Sequence, residues 1–374
     1  MRFERLKLRD FRNYGSLELE VPGGITVLYG ANGCGKTNLL EALHLLSVGR
    51  SHRTPTDREM IAQGAEAASS AARLIRADGS HRPEVRLIRT EKPHKRVLLN
   101  GKPAAHVGDL MGHATVVMFA PEDLRIVRDN PAARRRFLDM QLSQIRPLYL
   151  KQLRTYLSVL ESRNALLREQ KLIGVPQFER QMDVWDDQLC RAAVPLVESR
   201  AWFVSFLKQT AAEQYAAICE DAGETFSMRY QCAVQKPENT VESLREALER
   251  SRGEDVQRAF TYHGPHRDDV AFTLAGRDLR AYGSQGQVRT AVLSMKLGEI
   301  RLIEQDMGEP PALLLDDVFS ELDPRRRSAL LRSAQGIQTL ISCTDREDAA
   351  EARADCFWHV TRDGNGMGTV RTEE

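Results

Sequence analysis

The 374-residue sequence has only six cysteines, at 34, 190, 219, 232, 343 and 356, and none forms a CxxC pair. That excludes a zinc ribbon and a disulfide framework, and a reducing cytosol is the expected setting. No apolar run approaches the roughly 20 residues that a membrane span needs. The N-terminus, MRFERLKLRDF, alternates charged with apolar residues and lacks the apolar stretch of a signal peptide. Neither sign of charge dominates: 53 Lys and Arg stand against 52 Asp and Glu, a formal net charge of +1. Any nucleic-acid contact must therefore come from local clusters. Aromatics make up 6% of the chain, and no platform for stacking bases is visible. What is present is a soluble globular composition, 42% hydrophobic and 28% charged. The chain is longer than one core usually serves, so two domains are expected.

Both ends carry strand patterns. FERLKL (3–8) and SLELEV (16–21) alternate apolar with polar residues, and ITVLYG (25–30) is a short apolar run ending in glycine. TNLLEALHLLSV (37–48) spaces Leu39, Leu40, Leu43 and Leu46 for a helix face. EVRLIRT (84–90) and RVLLNG (96–101) read as strands, the second running into the Asn100-Gly101 turn. TVVMFAPEDL (115–124) reads as a strand broken by Pro121. After 268, DVAFTLAG, PALLLDD and QTLISCTD return to strand pattern, and FWHVTRDGNGMGTVR reads as a hairpin around Gly364-Asn365-Gly366. The middle is rich in Leu, Arg, Glu, Gln and Ala, which are helix formers. Helices of about 25 to 35 residues, roughly 40–50 Å long, are expected there, with no sustained heptads. The expectation is an α/β domain built from 1–125 and 261–374, with a helical insertion over 126–260.

The stretch LYGANGCGKTN (28–38) matches G-x-x-x-x-G-K-[ST] at Gly30, Gly35, Lys36 and Thr37. A loop of small residues, Gly30, Ala31, Asn32, Gly33, Cys34 and Gly35, can turn its backbone N–H groups inward as a nest for phosphate oxygens. The helix that follows presents free N–H groups and the positive end of its dipole to the same anion. Lys36 supplies charge to the β- and γ-phosphates, and the Thr37 hydroxyl can ligate Mg²⁺. Cys34 reads as a small filler or as a reactive thiolate. ALLLDDVFSELD (312–323) is a buried-strand pattern that delivers Asp316 and Asp317 at its carboxyl end. Asp316 suits the Mg²⁺ shell, and Asp317 can orient or deprotonate a water. YGSQGQVRTAVLSMKLGEI (282–300) places Ser284, Gly286 and Gln287 just ahead of a helix.

In this order, phosphate loop, SxGQ, strand with two acids and SELD resemble the ABC and SMC ATPase superfamily. Gln285 stands where the S-G-G-Q signature has its first glycine. The blocks LKLRDFRNY (6–14), FAPEDLRIV (119–127), PAARRRFLD (131–139), GPHRDDV (264–270) and GSQGQVRT (283–290) resemble the RecF family of recombinational repair, from the first strand to the last. The resemblance implies an ABC-type α/β head with a short helical arm, and ATP and Mg²⁺ as cofactors. It implies that Gly30 to Thr37, with Asn38, hold one ATP, and that Arg12 and Asn13 lie close to it. Ser284, Gly286 and Gln287 would reach the γ-phosphate of ATP held by a second copy. Asp316 would serve Mg²⁺ with Thr37, Asp317 would be the hydrolytic carboxylate, and Asp323 would sit at the dimer seam. The implied function is a DNA-dependent ATPase of gap repair that dimerises on ATP. It would bind single-stranded, gapped and duplex DNA with little sequence preference, and act with RecR and RecO to load RecA. Support of the SOS response, a role beside DNA replication, a cytoplasmic location and no membrane contact are also implied. Hydrolysis should be slow. Asp317 stands where transport members carry Glu, LISCTDRED offers Thr344 and Asp345 in place of a switch histidine, and no Q-loop glutamine stands near MFAPEDL.

Arginines gather at 125, 128, 134, 135 and 136, with further clusters at Lys92, His94, Lys95 and Arg96 and at Arg325 to Arg327. Phosphate contact and a solvated face are both open readings of them. GPHRDDV is equally open between a hinge and a functional element. Two rival functions share the phosphate site: a transporter nucleotide subunit, and a DNA-binding scaffold with structural ATP. Stimulation of ATPase by DNA separates the first from the leading reading, and phosphate release separates the second.

Overall fold

The computed structural model describes residues 1–90, 94–172, 174–219, 224–232 and 241–373. Lys92 lies outside them.

Strands β1 (Arg2–Phe11) and β2 (Tyr14–Glu20) alternate buried with exposed residues and pair antiparallel, Leu8 opposite Leu17. β3 (Ile25–Tyr29) runs into the glycine-rich loop, and helix α1 (Lys36–Val48) follows it. β4 (Ala67–Arg76), β5 (Gly79–His81), β6 (Pro83–Ile88), β7 (His94–Leu99) and β8 (Lys102–Pro103) complete a seven-stranded antiparallel sheet, ordered β2-β1-β4-β6-β7-β8 with β5 on β4. Asn100 and Gly101 join β7 to β8 with φ of 53° and 80°, the left-handed pair that a tight hairpin demands.

A second sheet has the order β16-β15-β3-β14-β13-β9. Its members are β9 (Val116–Phe119), β13 (Ala312–Asp316), β14 (Thr339–Cys343), β15 (Cys356–Arg362) and β16 (Gly368–Glu373), besides β3. All pairs are parallel except the β15–β16 hairpin. β13 and β14 are buried along their whole length, the pattern of strands covered on both faces. Helix α1 packs on β4 and β6 of the first sheet and on β13 and β14 of the second. The sequence suggests one apolar face. In fact Leu39, Leu40, Leu43, Leu45 and Leu46 are all fully buried, because a helix between two sheets has no solvent side.

The remaining elements are α2 (Arg125–Arg128), α3 (Pro131–Ile145), α4 (Pro147–Glu169), α5 (Val175–Cys219), β10 (Phe226–Gln231), α6 (Val241–Arg258), β11 (Asp269–Leu274), β12 (Arg277–Asp278), α7 (Leu279–Tyr282), α8 (Gln285–Met307) and α9 (Pro324–Ser333). The chain divides into two compact units. One is Met1–Leu124, Glu213–Ala222 and Gln285–Glu374; the other is Arg125–Ala212 and Gly223–Ser284. Composition alone draws the second boundary at 260. The structure carries it to 284, because β11 pairs with β10, Met228 opposite Phe272, inside the second unit. That unit is therefore helical with its own three-stranded sheet, β10-β11-β12. Helix α5 has 45 residues, about 68 Å at 1.5 Å per residue, and exceeds the length expected from sequence.

Candidate nucleotide site

In parallel sheets, ligands gather beyond the carboxyl ends of the strands. β14 stands between β3 and β13, with Cys343 level with Tyr29 and Ser342 level with Asp316. The loop after β3 and the acids ending β13 therefore emerge on one edge. Gly30, Gly33 and Gly35 have φ of 142°, 78° and 126°. A Cβ on Gly30 would lie 2.2 Å from the Val360 carbonyl oxygen, and one on Gly35 would lie 2.7 Å from both Asn13 Nδ2 and the Tyr14 hydroxyl. Glycine is required here by conformation and by close packing together. Lys36 opens α1; the Asn38 and Leu39 N–H groups donate to the Gly35 carbonyl at 3.0 and 3.3 Å, and those of Lys36 and Thr37 precede the helix's own acceptors.

Lys36 Nζ donates to the carbonyls of Gly30 at 2.5 Å and Ala31 at 3.1 Å, over the loop. Asn13 Nδ2 donates to the Cys34 carbonyl at 2.7 Å, and the Tyr14 hydroxyl to that of Gly35 at 3.1 Å. Burial pushes the Tyr14 hydroxyl well above its ordinary range, so it stays a donor. Arg362 Nε donates to the Gly33 carbonyl at 3.0 Å. Cys34 is buried, which fits a filler.

Thr37 Oγ1 donates to Asp316 Oδ1 at 2.8 Å, and Ser342 Oγ to the same oxygen at 2.7 Å. Ser342 Oγ in turn accepts the Asp317 N–H at 2.9 Å. Burial raises the Asp316 carboxyl, and the two hydroxyl donors oppose that shift. Asp317 is exposed. Its φ of 52° is strained for a residue with a Cβ. One acid is thus buried and anchored, while its neighbour is exposed and held in a special conformation. No group of three or more His, Cys, Asp or Glu able to hold a metal occurs among the described residues. Thr37 and Asp316 supply a hydroxyl and one carboxylate, the small oxygen set that suits Mg²⁺ when phosphates and waters provide the rest.

Asn13, Gly33, Gly35, Lys36, Thr37 and Arg362 line a cleft of about 710 Å³, with Arg12, Asn32, Asn38, Arg53, Glu59, Arg89, Asp317 and Ser342 among its other walls. Thr344 Oγ1 lies 3.4 Å from Asn32 Oδ1. Gly286 and Gln287 open α8 in the same unit but do not line the cleft. Ser284 is exposed and is the last residue of the second unit. Asp323 caps α9 by accepting the Arg326 N–H at 2.9 Å. Arg326 reaches Thr290 Oγ1 at 2.8 Å and the Gly286 carbonyl at 3.1 Å, tying α9 to the first two turns of α8. Sequence reasoning did not single out Tyr14, Glu41, Arg53, Ser342 or Arg362. Tyr14 closes the LKLRDFRNY block, and Ser342 lies in LISC beside the expected switch position. Arg362 had no signal.

A model of the RecF/RecN/SMC N terminal domain matches residues 2–368. The DNA replication and repair protein RecF of Symbiobacterium thermophilum is 43% identical over 93% of this chain and 92% of its own. The chain belongs to the RecF family. The Bacillus subtilis RecF is 38% identical over 92% of this chain. A structure of the recombination mediator protein RecF with ATP, in the RecFOR pathway, superposes with a TM-score of 0.90 at 31% identity, covering 99% of this chain and 97% of the other. An SMC head from Pyrococcus furiosus, at 16% identity and a TM-score of 0.58, shares the fold.

Two blocks that resemble RecF are partly interior. Arg134 is 3% exposed. It pairs with Asp269 (Nε to Oδ1 at 2.5 Å, Nη2 to Oδ2 at 3.1 Å) and donates to the Asp129 carbonyl. Arg135 donates to the Asp268 carbonyl at 2.8 Å. Of the three consecutive arginines only Arg136 is exposed, so the run is not a uniform phosphate-contacting face. Arg125 and Arg128 are exposed too. In GPHRDDV, Gly264 has φ of 138°, and a Cβ there would lie 2.5 Å from the Tyr156 hydroxyl. The Pro265 carbonyl accepts from Arg200 at 2.6 Å, and His266 Nδ1 shares a hydrogen bond with Tyr156 at 2.6 Å. Within the second unit this RecF block is part of a buried polar network.

Proposed function

We propose that this RecF-family chain is an ATP-dependent DNA-binding protein of replication-linked repair that uses ATP as a switch for pairing two copies. The observation that carries the reading is Thr37 and Asp316 joined at the mouth of a glycine-shaped loop, with Asp317 exposed beside them. The backbone of Gly30 to Gly35 and the first turn of α1 bind the phosphates, and Lys36 supplies charge to them. Thr37 and Asp316 hold Mg²⁺, which when bound offsets phosphate charge. Asp317 orients the attacking water and takes its proton. Ser284, which is exposed, and Gly286 and Gln287, which do not line the cleft of their own unit, serve ATP held by a second copy. ATP then bridges two chains, and affinity for DNA becomes linked to ATP.

Relatives named for the RecFOR pathway support a finer reading. In it the chain acts in the cytoplasm with RecO and RecR to load RecA on gapped DNA, supports the SOS response, and hydrolyses ATP slowly in a DNA-dependent way. No described helix is long and apolar enough to cross a membrane. The test is to size the protein with and without ATP, on gapped and intact duplex, while following phosphate release. Dimers with ATP, monomers with ATP for Ser284→Arg, and DNA-stimulated release that slows by at least about a hundredfold in Asp317→Asn are expected. Stoichiometric ATP without phosphate release would instead make it a scaffold.

A further inference from the structure

Glu41 is a carboxylate with no exposed surface, one turn beyond Thr37 on α1. Arg12 grips it with two nitrogens, Nη2 to Oε1 at 2.6 Å and Nε to Oε2 at 2.8 Å. Ser51 Oγ also donates to Oε1, and Arg53 Nη1 lies 3.8 Å from Oε2. Ser51 is the pivot of its own loop, accepting the N–H groups of Arg53 and Thr54 at 3.0 and 3.1 Å. Glu41 thus joins three separate segments: the β1–β2 turn, α1 and the loop from 51 to 54.

Stability alone is a weak reason to bury this group, because desolvation of a buried pair offsets most of its attraction. What the pair does fix is placement. Arg12 holds φ of 54°, a left-handed conformation that persists only where the surroundings over-determine it. Its third nitrogen, Nη1, donates to the Glu59 carbonyl at 2.6 Å. Arg53 donates to Asn38 Oδ1 at 3.0 Å, Asn38 to Asn13 Oδ1 at 2.8 Å, and Asn13 to the Cys34 carbonyl of the phosphate loop. Both guanidiniums line the nucleotide cleft. Two positive charges share this one buried negative charge, in a cleft that Lys36 also lines, with Glu59 and Asp317 among its other walls.

We propose that Glu41 is a positioning residue that sets Arg12 and Arg53 at the rim of the nucleotide cleft, where they receive phosphate charge. This rests on the ATP-binding reading above. A purely structural Glu41 would hold the three segments together without affecting nucleotide affinity through the arginines.

The test is a double-mutant cycle read by calorimetric titration of the full-length protein with ATP and with ADP. Glu41→Gln keeps the shape and removes the charge; it should weaken ATP binding at least about tenfold, the scale of a charge-assisted hydrogen bond. Arg12→Ala should weaken it to a similar degree, and the double variant should lose little more than either alone. Losses that multiply, or a folded Glu41→Gln protein that binds ATP normally, overturn the proposal. Should Glu41→Gln fail to fold, Glu41→Asp, which keeps the charge one methylene further back, takes its place in the same cycle with the same criteria. Absence of ATP binding by the unaltered protein would bring down the nucleotide reading itself, an outcome distinct from all of these.

Discussion

Arginines are used in opposite ways in the two units. In the nucleotide cleft, Arg12 and Arg53 share Glu41 yet keep 16% and 41% of their side chains exposed. In the second unit, Arg163 is wholly buried, with Nε 2.6 Å from Asp186 and Nη1 2.8 Å from Asp255. Arg200 is 2% exposed and joins Asp139, Tyr149 and the Pro265 carbonyl. Burial opposes the Arg200 charge, and Asp139 and the neighbouring tyrosines outweigh it. Asp255 shows the strain of such sites: burial raises its carboxyl even with Arg163 in contact. At the cleft, water and ligand can share the solvation of a guanidinium. In the interior, the partners must come from the protein, and among the described residues Arg163 Nη2 is left without one. The same residue type is a receiver of anions in one place and an interior cross-link in the other.

The largest effect should come from breaking an interior cross-link. Arg163→Ala leaves Asp255 buried without its cation, while Asp186 keeps Arg252 at 2.6 Å, and loss of one partner of a buried pair costs about 3–5 kcal/mol. Urea unfolding followed by circular dichroism should show this drop. ATP titration of the folded fraction should be unchanged, since Arg163 is not part of the cleft. Lys36→Ala should do the reverse. ATP affinity should fall at least about a hundredfold, because charge-assisted contacts to phosphate are lost, while the urea midpoint moves little. If Arg163→Ala and Lys36→Ala each changed both readouts, the contrast between the units would fail.

Acid should act on the interior network next. Burial holds His266 down to about 4, with the nearby charges of Arg267, Arg135 and Arg163 adding to it and the Thr261 carbonyl opposing. An unfolded histidine titrates near 6.5. Between these values the unfolded chain binds the extra proton, so stability is present above about 6.5 and is lost as pH falls toward 4. From pH 7 to pH 5 the loss from this group is on the order of 2 kcal/mol. His266→Gln should flatten that part of the pH dependence of the urea midpoint. An unchanged slope would remove His266 from the account.

The cleft was legible from sequence where its parts are contiguous. Gly30 to Thr37 and Asp316-Asp317 each signal themselves in a few residues, and the alternating β1 and β2 and the Asn100-Gly101 turn read correctly for the same local reason. What joins them is not contiguous. Thr37 and Asp316 meet across 279 positions, and Ser342 enters only because β14 lies beside β13 in register. Glu41 looks like one more polar residue in a leucine-rich helix until the β1–β2 turn brings Arg12 to it. In the second unit the arginine run looked like a surface, because Asp269, the partner of Arg134, lies 135 positions away. The length of α5 and the β10–β11 pairing were hidden in the same way, since tertiary partners rather than local propensity set them.

The smallest predicted effect separates neighbours within one helix turn. Arg134→Ala should unfold at lower urea, because Asp269 loses its cation and the Asp129 carbonyl loses a donor. Arg136→Ala removes an exposed side chain and should change stability by no more than about 0.5 kcal/mol. Binding to duplex DNA should respond in the opposite sense. If Arg136 touches a phosphate, its loss should reduce the slope of log K against log salt by about 0.9, whereas Arg134 should leave that slope as it is once the protein is folded. Titration of a labelled duplex at several salt concentrations reads the slope directly. A slope unchanged by Arg136→Ala would assign that arginine to the solvated face and move the search for phosphate contacts to Arg125 and Arg128, both exposed at the start of the same segment.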